Sequence, residues 1–183
     1  SESGSGENLF TNGSLDGTVT MGGVPESWEL FSSDLTPDVN NLQNPAAAGN
    51  YVVVDDTNFS NSNDGGTWVG FHDRSDYEQI TYEEGFYQNV SLEAGKTYCI
   101  SFEQANFGAM LLPLETFTAD NNGKIKVYID ETNAAPSTLV GDGGEMVLGT
   151  GWNNASVKYT APTTGNYSIG FVSTTTTETA NNK

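Results

Sequence analysis

Apolar and polar residues alternate with a period of two along most of this chain, in short runs separated by clusters of Gly, Asn, Asp, Ser and Pro. Helical periodicity is nearly absent, and this pattern predicts an all-β protein, a sandwich or barrel. The clearest stretch is Gly85 to Phe102. Tyr98, Ile100 and Phe102 share one face there, while Cys99, Ser101 and Glu103 share the other. A strand of this kind has one buried and one wet face. With the short loop Glu93 to Lys96, which carries Gly95, the stretch reads as a β-hairpin.

The same reading places strands near Asn8–Phe10, Ser27–Phe31, Tyr51–Asp55, Thr67–His72, Gly85–Leu92 and Thr97–Glu103. Further strands fall near Lys124–Asp130, Glu145–Leu148, Ala155–Thr160 and Tyr167–Val172. Ala161 to Asn166 (APTTGN) is a turn before the last of them. Ser32 to Asn50 and Asn58 to Gly66 read as polar loops. Within Phe107 to Gly123 the apolar run Ala109 to Leu114 is out of keeping with its flanks, and reads as a cap on one end of the sandwich or as an exposed contact patch. Residues 8–173 are expected to form one β-sandwich domain, between a linker or terminal tail over 1–7 and a mobile Thr- and Asn-rich tail over 174–183.

Composition narrows the partners. The 183 residues are enough for one substantial core. A formal charge of −18 with only six Lys and Arg repels phosphate backbones, so nucleic acid is excluded and anionic membrane surfaces are disfavoured. No run has the length of a transmembrane helix, which argues against membrane insertion. Cys99 is the single cysteine, so no intrachain disulfide or zinc cluster forms, and an inert strand thiol is expected. The acidic excess, with abundant Asn, Thr and Gly, fits a soluble extracellular domain and equally a charge that serves solubility alone.

Several segments carry a resemblance. An opening Asn8-Leu9-Phe10-Thr11-Asn12-Gly13-Ser14 is followed by Pro25 and Trp28, and the middle reads Tyr87-Gln88-Asn89-Val90-Ser91-Leu92-Glu93-Ala94-Gly95-Lys96-Thr97-Tyr98. A later Trp152 precedes a strand ending Thr160-Ala161-Pro162. In these segments the chain resembles the jelly-roll carbohydrate-binding modules of families 4 and 9, in the galactose-binding-like group. The resemblance implies an antiparallel β-sandwich of jelly-roll type in a secreted or cell-surface bacterial protein, with a polysaccharide or other glycan as partner. Its motifs specify strands and turns, so they speak to fold before function. Such modules usually end in a further strand of the type Tyr-Ile-Asp-Asp-Val, which is not found before Lys183; the expectation is either a segment cut from a longer polypeptide or a sheet completed by a neighbouring domain or protomer, a second expected partner. They also carry a Glu after the opening motif that helps hold a structural calcium, and Leu15-Asp16 stands there in this chain.

Alternation then selects candidate residues. If Val69 and Phe71 point inward, Trp68 and His72 face outward, as do Tyr87, Glu103 and Tyr128 on their own strands. Were these strands neighbours, the five would line one wet face, with aromatic rings for a pyranose and polar groups for its hydroxyls. The competing reading is cross-strand pairing with no ligand, on a face covered by loops. Trp28 and Trp152 read as core or sandwich-edge residues. Calcium is the only sensible metal for so oxygen-rich a chain, with Asp16, Asp55 and Asp56 as candidate ligands and Asp64 as a further one. His72 to Glu78 holds the only His and the only Arg, which a polysaccharide lyase could use, though a loop with Arg74 among carboxylates explains it as well. The expectation is a non-catalytic glycan-binding module or lectin-like domain. The alternative is a structural or adhesive domain of a surface adhesin, filament or virion.

Overall fold

The computed structural model describes residues 6–33, 36–41, 51–53, 66–71, 73–75, 81–106, 109–111, 122–147 and 151–175. Its strands are β1 (Glu29–Leu30), β2 (Asp38–Asn40), β3 (Tyr51–Val53), β4 (Trp68–Gly70), β5 (Asp73–Ser75), β6 (Thr81–Glu83) and β7 (Gly85–Leu92). They continue as β8 (Thr97–Gln104), β9 (Ala109–Leu111), β10 (Gly123–Asp130), β11 (Leu139–Asp142), β12 (Asn153–Thr160) and β13 (Gly165–Thr175). No helix occurs among the described residues, and every ladder is antiparallel.

One layer is a five-stranded sheet in the order β1-β7-β13-β10-β11. Opposite it stand the β8–β12 ladder and the β2–β4 ladder. The core lies between. Phe86, Val90, Leu92, Val127, Ile129, Tyr167, Ile169 and Phe171 come from the five-stranded sheet, and Ile100 and Val157 come from across it. Phe102 meets Phe171 edge-on at 5.4 Å, and Phe71 stacks on Phe86 at 5.5 Å, so aromatic rings join the two layers. The expected antiparallel β-sandwich is the fold observed.

The stretch from Gly85 to Phe102 is not a hairpin. Its strands β7 and β8 belong to different layers: β7 pairs with β1 and β13, and β8 pairs with β12. The turn carries the chain across the sandwich. Gly95 takes φ +74° there, and its N–H donates to the Ala161 carbonyl at 2.8 Å, while Ala161 N–H donates to Lys96 O at 3.1 Å. The two turns Glu93–Lys96 and Ala161–Thr164 thus brace each other as both cross between layers. Alternation could not distinguish these outcomes, because a buried face looks the same whether strands lie side by side or across a core.

Other boundaries also move. Asn8–Phe10 is not a strand, although Phe10 packs on Trp28 at 5.2 Å. Met146 forms only an isolated bridge with Gly123. Asp38–Asn40, inside the region read as a loop, is a strand, and Ala109–Leu111, from the run read as a cap or patch, pairs with Tyr51–Val53. Asp73–Ser75, also read as a loop, pairs with Thr81–Glu83.

Candidate functional site

The outward face of the five-stranded sheet carries Tyr87 and Tyr128. Both align with Gly170 on the strand between them, so the glycine leaves a gap between two phenols. Phe31 fills it. Its ring meets Tyr87 at 5.6 Å and Tyr128 at 6.4 Å, and a side chain on Gly170 would collide with it. Tyr87 is left 8% exposed, and burial, followed by the nearby Glu29 carboxylate, raises its phenol pKa. Beside this plug the loop Glu131–Thr138 closes over the same face. Asn89 donates to Ser168 Oγ at 2.7 Å and to Thr132 O at 3.1 Å, and Ser168 Oγ donates to Thr132 O at 2.9 Å. Asp130 accepts from the amides of Ser137 and Thr138. The Thr138 hydroxyl and the Ser137 amide hold its carboxyl below the usual range. Tyr87 and Tyr128 are therefore brought together around Phe31, Tyr87 buried and Tyr128 partly exposed.

Glu103 lies elsewhere. It is exposed on the outward face of the β8–β12 ladder, in a row with Thr97, Cys99 and Ser101. That layer is opposite the tyrosines, so the expected five-residue face does not form. The strands were not neighbours, and alternation fixes only which side of its own sheet a residue takes. Opposite this row stand Thr160, Lys158, Ser156 and Asn154, with Glu103 in register with Asn154.

Trp68 lies on β4, which pairs with β2. Val69 packs into the core, so Trp68 turns away from it. Its indole meets that of Trp152 at 5.9 Å and 70°, and both residues are partly exposed. Trp152 stands one position before β12. There the ladder register, continued by one residue, sets it opposite Ala105 and next in line after Asn154 and Glu103. The resemblance set Trp152 in the core or at the sandwich edge and outside the candidate site, and its position one residue before a polar-faced strand was the available signal. Trp28, in contrast, is the core residue expected. It is 8% exposed, lies against Phe86 at 4.9 Å, and donates its indole N–H to Asn12 O at 3.0 Å.

The residues around Asp16 do not fit a calcium ion. The Asn12 amide nitrogen donates to the carbonyls of both Asp16 and Glu26, at 2.9 and 3.0 Å, and so occupies the space where a cation would bridge them. Asn12 Oδ1 accepts from Asp16 N–H, and the Asp16 carboxylate accepts from Ser14 Oγ at 2.9 Å. No group of three or more His, Cys, Asp or Glu gathers among the described residues. His72, Asp55, Asp56 and Asp64 lie outside the described residues.

No protein-family model and no curated protein matches this chain. Among solved structures, the chain is similar to the CBM22-1–GH10 modules of the Clostridium thermocellum N-terminal endo-1,4-β-D-xylanase 10B, complexed with xylohexaose. Identity is 16% and the TM-score 0.35, over 92% of this chain and 30% of that chain. A likeness that distant assigns neither a family nor a ligand.

Proposed function

We propose that this chain is a non-catalytic glycan-binding module of a secreted or cell-surface protein, and that it binds through the outward face of the β8–β12 layer. One observation carries the reading: two partly exposed tryptophans, Trp68 and Trp152, their indole nitrogens buried, meet at 5.9 Å near the exposed row that holds Glu103 and Asn154. An indole offers an apolar face to the C–H side of a pyranose, and a carboxylate beside an amide can hold adjacent hydroxyls. On the opposite face Phe31 packs between the tyrosines, Tyr87 is buried, and among the described residues no partly exposed ring other than Phe31 stands beside Tyr128. The reading places the ligand on one face of the sandwich only.

Affinity electrophoresis through gels containing soluble polysaccharides tests this. Retardation by one polysaccharide class is expected for the native chain. It should be lost in Trp68→Ala and Trp152→Ala and kept in Tyr128→Phe. Retardation that survives both tryptophan substitutions would remove the site from this face.

A further inference from the structure

The β8–β12 ladder ends in an open edge. Ala161 N–H donates to Lys96 O at 3.1 Å, so Tyr159, Val157 and Ala155, at alternate positions before it, also turn their backbone groups toward β8. Thr160, Lys158, Ser156 and Asn154 occupy the intervening, non-hydrogen-bonded pairs of the ladder. The Thr97 and Thr160 hydroxyls meet at 2.7 Å, as the closer side chains of such a pair can. The N–H and C=O groups of these four residues therefore point away from β8, and none has a partner among the described residues. All four residues are exposed.

The edge of the other layer lies on the same side of the sandwich. β11 ends the five-stranded sheet, and its Gly141 sits against Val157, close enough that an added Cβ would come within 2.9 Å of the valine. β11 also carries Leu139, which is 52% exposed. A row of unpaired backbone groups is a template for another strand unless charge, proline or a cover blunts it. β12 contains no proline and no carboxylate, in a chain with 24 Asp and Glu, and Lys158 is its one charge.

We propose that the β12 edge pairs antiparallel with the β12 edge of a second copy of this chain, about a two-fold axis at Val157. That register sets Asn154 opposite Thr160 of the second copy and Ser156 opposite its Lys158. Each of the four N–H and four C=O groups then finds a partner. The two Lys158 residues stand on the diagonal, about 7–8 Å apart, instead of face to face. A second copy fits better than a free peptide, because the same axis brings β11 toward its counterpart and covers Leu139, whereas a peptide would meet the β12 edge alone. Pairing lies in the plane of the sheet, so the outward row from Asn154 to Thr160 stays in solvent in both copies. The ladder therefore stands whether or not that row binds a glycan. A charge of −18 on each copy opposes association, and salt that screens it favours the dimer.

Sedimentation velocity of the full chain under reducing conditions tests this, from about 1 μM to 1 mM protein and in about 0.1 M and 1 M sodium chloride. A species of twice the monomer mass is expected, growing with concentration and with salt. Amide hydrogen exchange at Asn154, Ser156, Lys158 and Thr160 should slow at least about tenfold over the same range. Ser156→Pro removes one outward N–H at a position where an edge strand tolerates proline, and should weaken the dimer at least about tenfold. Leu139→Lys, on an exposed side chain, should weaken it as well. If the proline variant unfolds, Leu139→Lys and the exchange pattern decide. A chain that stays monomeric at about 1 mM in the higher salt overturns the proposal. So does a dimer that both substitutions leave intact, or one whose exchange slows elsewhere and not along β12.

Discussion

Gly170 shows how one residue decides what a face can do. The two tyrosines beside it would form an open cleft if nothing entered the gap above the glycine. Because Phe31 enters it, the cleft becomes packing. Gly170→Ala must displace the Phe31 ring and bring a methyl to 3.0 Å from Pro136 Cγ. It should cost about 1–3 kcal/mol in urea unfolding, the usual penalty of overpacking. Gln88 has the converse role. Its three buried hydrogen bonds fasten the opening segment to β7, and Gln88→Leu should destabilise by roughly 2–4 kcal/mol, because two carbonyls and an amide lose their partner. A change under about 0.5 kcal/mol would show that the opening segment is held by other means. Neither role was legible in the sequence, since a glycine or glutamine in an alternating strand announces its face and not its cover. Trp28 was legible only through the resemblance, which set it in the core or at the sandwich edge; its packing on Phe10, Phe86 and Phe171 puts it in the core.

At the scale of elements, the long strands were readable and the short ones were not. β7, β8, β10, β12 and β13 each bury one side and expose or cover the other, and eight or more residues give alternation room to register. Asp38–Asn40 escaped because all three of its residues are buried, two of them polar, so no alternation marks it. The partnering of β7 and β8 was misread for a different reason: loop length suggests a hairpin, but the buried sides of the two strands face each other across the core. The β10–β11 pair carries a pH dependence. Asp130 and Asp142 both have carboxyl pKa values lowered from 3.8. Hydrogen bonds from Thr138 and Ser137 lower the first, and the Gly144 amide, then Lys124, lowers the second. A lowered folded pKa adds stability that is present above the unfolded value and is lost as pH falls through the folded one. Stability should therefore decline as pH drops below about 4. Asp130→Asn should be less stable at pH 7 and show a flatter acid limb in urea melts. An unchanged acid limb would mean that Asp130 is as well solvated unfolded as folded.

For the whole molecule, one outward face of the sandwich has Phe31 and a loop packed against its strands, and the β8–β12 ladder presents a polar row. The sequence reading merged the two faces into one, because strand order is a property of the fold and not of alternation. The proposed site keeps Trp68 and Glu103 and adds Trp152, while Tyr87 and Tyr128 lie on the other face. Charge acts at this scale too: with 24 acidic residues against six Lys and Arg, a neutral glycan meets less repulsion than a polyuronate. The most direct measurement is a glycan array probed with the native chain beside Trp152→Ala and Tyr87→Phe. This account predicts binding to one glycan class that Tyr87→Phe keeps and Trp152→Ala loses by at least about tenfold, roughly 1.4 kcal/mol. Binding lost with Tyr87→Phe and kept by Trp152→Ala would contradict it, as would no binding by the native chain.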